Sequence, residues 1–303
     1  MRILITGAAG FIGSRLAEAL LGHGHEVVGI DNLSTGRREN FPDGGRFLEG
    51  DIRVQDGMQV GPLDVIYHAA ASYKDRSDWE SDASTNVNGT INVIREAQRT
   101  GAKLIYFQTS LCYGPHPVSP ILTTHPLDPH GSYAISKTAG EAYIRDWSRE
   151  SGIPYVSLRL ANMYGPRNLS GPVPAFYKRL MEGKPCTVVD RRRDFVYVDD
   201  LIWVAVKAAE QGQGVYNVAS GSDQSIMDIY ATVARVMALD APEPVLQPRG
   251  PDDVATILLD PSRTEVEFGW KAMTPLDTGI ARAVTWYRDN GVTNLYTHLS
   301  TKG

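Results

Sequence analysis

Residues 2–13 read Arg2-Ile3-Leu4-Ile5-Thr6-Gly7-Ala8-Ala9-Gly10-Phe11-Ile12-Gly13. An apolar run of strand length leads into three glycines, and an amphipathic stretch, Phe11–Leu21, follows. Glycines at a strand-to-helix junction permit a tight turn and let a pyrophosphate approach backbone N–H groups at the helix N-terminus. The spacing is G-x-x-G-x-x-G rather than the commoner G-x-G-x-x-G, and glycines also end strands for structural reasons alone. Its place between a strand and a helix predicts a dinucleotide site, with Gly7, Gly10, Phe11, Ile12 and Gly13 around the ligand.

Asp31 ends the second expected strand, 18 residues after Gly13. A carboxylate there accepts both hydroxyls of an adenosine ribose and repels a 2′-phosphate, which favours NAD over NADP. Arg37 and Arg38 lie close by and could receive that phosphate instead; ordinary solvated charge is the preferred reading. Asp51 and Ile52 follow the third strand, where they could contact adenine, although a turn carboxylate explains Asp51 almost as well.

Strands are expected at Arg2–Thr6, Glu26–Ile30, Arg46–Leu48, Val65–His68, Lys103–Gln108 and Tyr155–Leu160, with further helices at Ala83–Arg99 and Tyr133–Ser151. Buried strands alternating with helices predict an α/β fold, a Rossmann-type doubly wound parallel sheet with its ligand loops along one edge. The pattern loosens after about Ala161, and proline and glycine cluster at Gly165–Pro174. Residues 1–165 are read as the NAD-binding domain, with segments around 194–220 returning to it. Residues 166–303 are read mainly as a smaller mixed α/β substrate-binding domain.

The chain's 303 residues are 42% hydrophobic and 21% charged, with a net charge of −5. That balance excludes a disordered chain and gives no basic footprint for nucleic acid. Two cysteines, Cys112 and Cys186, exclude a disulfide framework and fit a reducing compartment. No apolar run reaches the ~18 residues that span a bilayer. The N-terminus starts like a signal peptide but breaks into glycines too soon. A cytoplasmic enzyme is expected. No histidine spacing such as H-E-x-x-H suggests a metal.

Tyr133 and Lys137 are four residues apart at the start of an expected helix, so phenol and ammonium share one face. A tyrosine is a poor base at neutral pH, and lowering its pKa by about 3 units takes roughly 4 kcal/mol from neighbouring positive charge. Lys137 and an oxidised nicotinamide together could supply it. Such a pair is usually surface decoration, but a dinucleotide loop in the same chain reverses those odds.

With these residues in place, the sequence resembles the extended short-chain dehydrogenase/reductase family, in its NAD-dependent nucleotide-sugar epimerase and dehydratase branch, over nearly its whole length. Besides the glycine loop, the resemblance rests on Asp31-Asn32, His68-Ala69-Ala70-Ala71, Asn86-Val87 and Thr109-Ser110-Leu111-Cys112-Tyr113-Gly114. It continues through Tyr133-x-x-x-Lys137, Asn162-x-Tyr164-Gly165-Pro166 and Arg193-Asp194-Phe195-Val196-Tyr197-Val198-Asp199-Asp200. It implies that Tyr133 is the general base or acid, that Lys137 lowers its pKa and holds the nicotinamide ribose, and that Thr109 shares the proton of the sugar hydroxyl. A hydride then passes from sugar C4 to NAD, giving a 4-keto sugar. A structural alternative for Thr109 is a strand-end threonine bonded to backbone. Asn32, His68, Ala69, Ala70 and Asn86 are expected beside the cofactor, and a homodimer is expected through the helices near Ala83–Arg99 and Tyr133–Ser151.

Dehydratases and decarboxylases of the branch usually carry a glutamate two residues before the Tyr-Gly pair, and many dehydratases an aspartate before that. Here those positions are Leu111 and Ser110. Leucine moves no proton, so the expected activity is C4 epimerisation of a UDP-hexose or derivative. A dehydratase with an unusual acid and a non-catalytic dinucleotide-binding protein are the alternatives; Cys112 could serve as that acid, although a small buried thiol is its preferred reading. Tyr73, Ser110, Asn162, Arg193 and Arg249 are expected to touch the nucleotide sugar, and Lys74 could reach it. For Arg193 a plain surface charge beside Arg191 and Arg192 stays open. The Arg249-Gly250-Pro251-Asp252-Asp253 stretch has an uncertain register against the family pattern. Ile257 falls where some epimerases limit bulk at the sugar, and Trp79 covers the cleft or packs on the next helix.

Overall fold

Ile3, Leu4 and Ile5 in β1 (Arg2–Thr6) have no exposed surface, so this strand is buried on both faces as its continuous apolar run requires. The computed structural model describes residues 1–54, 58–73, 75, 77–115, 118–249, 255–293 and 295. Lys74 and the Gly250-Pro251-Asp252-Asp253 stretch lie outside the described residues.

Helix α1 (Phe11–Gly22) leads to β2 (Glu26–Asp31), β3 (Arg46–Glu49) and β4 (Val65–His68). Then come α2 (Trp79–Ala83), α3 (Thr90–Thr100), β5 (Lys103–Thr109), α4 (Ser132–Ser151) and β6 (Tyr155–Leu160). The second half adds β7 (Asn162–Tyr164), α5 (Pro172–Met181), β8 (Thr187–Val189), β9 (Arg192–Tyr197), α6 (Val198–Ala208) and β10 (Gly214–Val218). After these come β11 (Asp223–Ser225), α7 (Ile226–Val236), β12 (Val245–Gln247), β13 (Thr256–Ile257), α8 (Ser262–Phe268) and α9 (Leu276–Asn290).

Seven parallel strands form the main sheet in the order β10-β6-β5-β4-β1-β2-β3. Strand order reverses at β1, which pairs with β2 on one side and β4 on the other. Ligands of doubly wound sheets bind outside the carboxyl ends of the strands at such a point. This is a Rossmann-type fold. A smaller sheet is centred on β9, which pairs with β7, β11 and β13, while β12 pairs with β8. One apolar core runs from the main sheet beneath α1 and α6 into α5, α7 and α9, and a second fills the other face of the sheet beneath α3.

The helix expected over Ala83–Arg99 is interrupted. A π turn, Ser84–Gly89, joins α2 to α3. At its end the Thr90 hydroxyl donates to the carbonyl of Asn86 (2.7 Å), a side chain inserted into the helical ladder.

Candidate active site

At the carboxyl ends of the main strands lies a cleft of about 590 Å³, lined by residues from Gly7 near one end of the sequence to Trp286 near the other. Its floor is the glycine loop. Gly7 has φ +69, and a Cβ there would sit 2.6 Å from the backbone nitrogen of Ala70. A Cβ on Gly13 would meet the Gly7 carbonyl at 2.2 Å. These two glycines are fixed by close backbone approach. Gly10 caps α1 without a side-chain hydrogen bond, and Phe11, Ile12, Ala69 and Ala70 also line the cleft.

Asp31 is buried at the end of β2 and lines the same cleft. Its carboxylate accepts the N–H of Ala9 (2.9 Å) and of Leu33 (2.8 Å). Burial pushes its pKa up, and the two N–H bonds oppose that. Oxygens so oriented keep lone pairs for further donors, which ribose hydroxyls are. The set fits NAD. Asn32 donates to Asp51 (3.0 Å), and Arg53 pairs with Asp51 at 2.6 Å, which holds that carboxyl down at about 2. Asp51 and Ile52 line the cleft, but the Asp51 carboxylate is already engaged. Arg37 lines the cleft as well and donates to the hydroxyl of Thr293, so it is no plain solvated charge. Arg38 is exposed and lies over the Phe47 ring.

Three expected contacts take other places. His68 is fully buried, with one ring nitrogen on the Thr6 hydroxyl (2.8 Å) and the other on that of Thr90 (2.9 Å). Burial and the nearby Lys137 charge push its pKa far down, so it is a neutral brace behind the cofactor loop. Asn86 is buried too: it accepts from the Ser72 N–H, donates to the Ser72 carbonyl and donates to the Ser136 hydroxyl. It ties the loop after β4 to α4 rather than facing the cleft. Arg249 is exposed, beyond β12, and is not among the residues that line the cleft.

The proton-handling residues do come together. Thr109, Tyr133 and Lys137 all line the cleft. Thr109 accepts the N–H of Leu111 (3.2 Å), so it bonds backbone as the structural alternative had it, while its own O–H stays a donor. Tyr133 is half-buried, and its ring lies 6.2 Å from that of Tyr73. Burial first, then Tyr73 and Asp82, raise its pKa well above the usual tyrosine value. Lys137 is buried with its ammonium 3.9 Å from the Tyr106 ring centroid. Burial lowers its pKa to about 7 against the pull of Glu141. In the chain alone, therefore, the phenol holds its proton near neutral pH, while the amine is there divided between its charged and neutral forms.

Toward the second half, Tyr73, Ser110, Leu111, Asn162, Arg193 and Ile257 line the cleft. Arg193 is buried on β9 and donates to the carbonyl of Arg192 (2.7 Å), which excludes the surface-charge reading. Asn162 donates to the carbonyl of the adjacent Asp194 (3.1 Å). Cys112 is buried and its thiol is pushed up to about 12, so it is a poor proton carrier near neutrality. Trp79 is 71% exposed and is not among the residues that line the cleft. Gln108, Arg167 and Trp286 also line the cleft and were not singled out from sequence. Arg167 carried a signal, as the residue after Gly165-Pro166; it has φ +70 and reaches back to Ser14 and Glu18 beside the glycine loop. Among the described residues no cluster of potential ligands could hold a metal, and no helix is long and apolar enough to cross a membrane.

Comparison with known proteins places this geometry. A structure of the Bordetella bronchiseptica enzyme WbmG, in complex with NAD and UDP, is 43% identical, covers 99% of each chain and superposes with a TM-score of 0.89. UDP-glucose 4-epimerase of Mycolicibacterium smegmatis is 33% identical over 95% of this chain and 99% of its own. A probable dTDP-glucose 4,6-dehydratase of Sinorhizobium fredii is 30% identical over 96% and 94%. The NAD dependent epimerase/dehydratase family profile matches residues 3–219. With that match spanning the main sheet, its glycine loop and the Tyr133–Lys137 turn, the chain belongs to the NAD dependent epimerase/dehydratase family and uses NAD.

Proposed function

We propose that the protein is an NAD-dependent nucleotide-sugar 4-epimerase acting on a UDP-hexose or a derivative of one. Tyr133 takes the proton of the C4 hydroxyl, Thr109 holds that oxygen, and Lys137 supplies the positive charge that the raised phenol pKa demands. NAD, when bound, accepts the C4 hydride and returns it. Asn162 and Arg193 hold the diphosphate, and Asp31 holds the adenosine ribose. Residues 1–165, with the returning strand β10 and helix α6, carry the cofactor, and most of residues 166–303 carry the sugar nucleotide.

The observation that carries this reading over a dehydratase is Leu111. It stands in the cleft, 38% exposed, where elimination from the 4-keto sugar would need a proton carrier. Cys112 does not replace it at a pKa of about 12. General acid–base groups contribute ~10²–10⁴ in rate, enough to decide between two fates of one intermediate. A panel of nucleotide sugars in heavy water, followed by NMR of the products, tests this. The expected product is a C4 stereoisomer of equal mass with no deuterium at C5. A dehydrated product, or deuterium at C5, overturns the epimerase in favour of the dehydratase.

A homodimer is part of the same proposal. Of the apolar residues on the two candidate helices, Val93 and Ile94 are buried in the chain's own core, whereas Ile135 and Tyr143 on α4 are about half exposed. Light scattering at micromolar concentration is expected to give twice the chain mass; monomer alone would refute the pairing.

A further inference from the structure

Thr109 and Tyr133 stand on separate elements, the end of β5 and the first turn of α4, with twenty-three residues between them in sequence. Both must reach one substrate oxygen if the proposed chemistry holds, so something has to fix their separation. The carboxamide of Gln108 spans it. This side chain is 2% exposed, a buried polar group in the otherwise apolar run of β5. Its oxygen accepts the N–H of Thr109 (2.8 Å), and its nitrogen donates to the carbonyl of Lys137 (3.0 Å). The Tyr106 hydroxyl donates to the same carbonyl (3.0 Å), while its ring lies against the Lys137 ammonium. A carbonyl inside a helix ordinarily serves the backbone N–H one turn on. Here two side chains of β5 converge on it as well, at the residue whose ammonium enters the site.

We infer that Gln108 is a positioning residue, which sets the separation between Thr109 and the Tyr133–Lys137 turn of α4 and thereby governs kcat. The inference rests on the roles proposed for Thr109 and Tyr133. It goes beyond them in assigning to one amide the registry of two elements. Loss of about 1 Å in such a registry costs on the order of 10²-fold in rate without touching the groups that bind substrate.

Two variants test it, with the nucleotide sugar that the panel shows to be turned over. Gln108→Met keeps length and bulk but removes both hydrogen bonds. Its kcat is expected to fall by about 10²-fold, with KM, NAD affinity and melting temperature close to wild type. Gln108→Glu keeps an acceptor for Thr109 when ionised but regains a donor toward the Lys137 carbonyl only when protonated. Its kcat relative to wild type is therefore expected to rise as pH is lowered. Wild-type kcat in Gln108→Met, or a loss confined to KM and melting temperature, overturns the inference. If Gln108→Met does not fold, a Gln108→Glu ratio that stays flat with pH overturns it alone. Tyr133→Phe runs alongside: if that variant stays active, the proposed chemistry fails and this inference with it. If it is dead while Gln108→Met is normal, only the positioning role fails.

Discussion

Tyr133→Phe is expected to lower turnover by about 10²–10⁴-fold while leaving NAD affinity nearly unchanged. The substitution deletes one oxygen and keeps the ring that packs against Tyr73, so the fold has little reason to respond. Burial holds the phenol well above its ordinary pKa in the chain alone, and Tyr73 and Asp82 add to that. The residue is thus no spontaneous base, and its ionisation has to be driven by positive charge beside it, the part proposed for Lys137 together with the cofactor. Initial rates measure the first half of the expectation and calorimetric titration with NAD the second. Near-native turnover would mean that another group moves the proton. The same titration with NADP reads Asp31: its carboxylate, held by Ala9 and Leu33, should make NADP the weaker ligand.

The second large effect lies about two turns farther along α4. Glu141 and Arg159 form a salt bridge at 2.5 Å with each side chain only 3% exposed, and Arg159 also donates to the Tyr113 hydroxyl. Removing one partner leaves an uncompensated charge in the core, so Glu141→Leu should cost about 3–5 kcal/mol of stability. Replacing both, Glu141→Leu with Arg159→Met, should recover much of that, because neither charge is then buried alone. Chemical denaturation of the two single variants and the double variant gives the coupling. Strict additivity would show that the pair does not act as a unit. Glu141 also opposes the fall of the Lys137 pKa, so the single variant should carry a more readily deprotonated lysine as well.

The main sheet was legible because its strands are buried on both faces and read as unbroken apolar runs; all six expected strands in the first half differ from the structure by a single residue or less. The strands around β9 were not, since β7, β11 and β13 are two or three residues long and their partners lie far off in sequence. In the site, chemistry was easier to read than placement. Gly7 and Gly13 announce themselves because no other residue fits a backbone that close. His68 and Asn86 carry the polar groups a ligand contact needs, and the same groups serve equally well for buried bonds to Thr6, Thr90, Ser72 and Ser136. Only coordinates separate the two uses. Gln108 had a signal that went unread, a carboxamide amid Leu104, Ile105, Tyr106 and Phe107, where a polar side chain must find partners.

A cleft whose walls come from both Gly7 and Trp286 exists only when the whole chain has folded. Anything that fills it is therefore bound by the native state and not by its unfolded competitor. By mass action, a ligand at a hundredfold excess over its Kd adds about 2.7 kcal/mol to the folding equilibrium. Heat resistance then becomes a reporter of recognition that needs no knowledge of the reaction. Melting the NAD-loaded enzyme beside each member of a nucleotide-sugar collection ranks the sugars by fit, so the physiological one can be sought before any product has been seen.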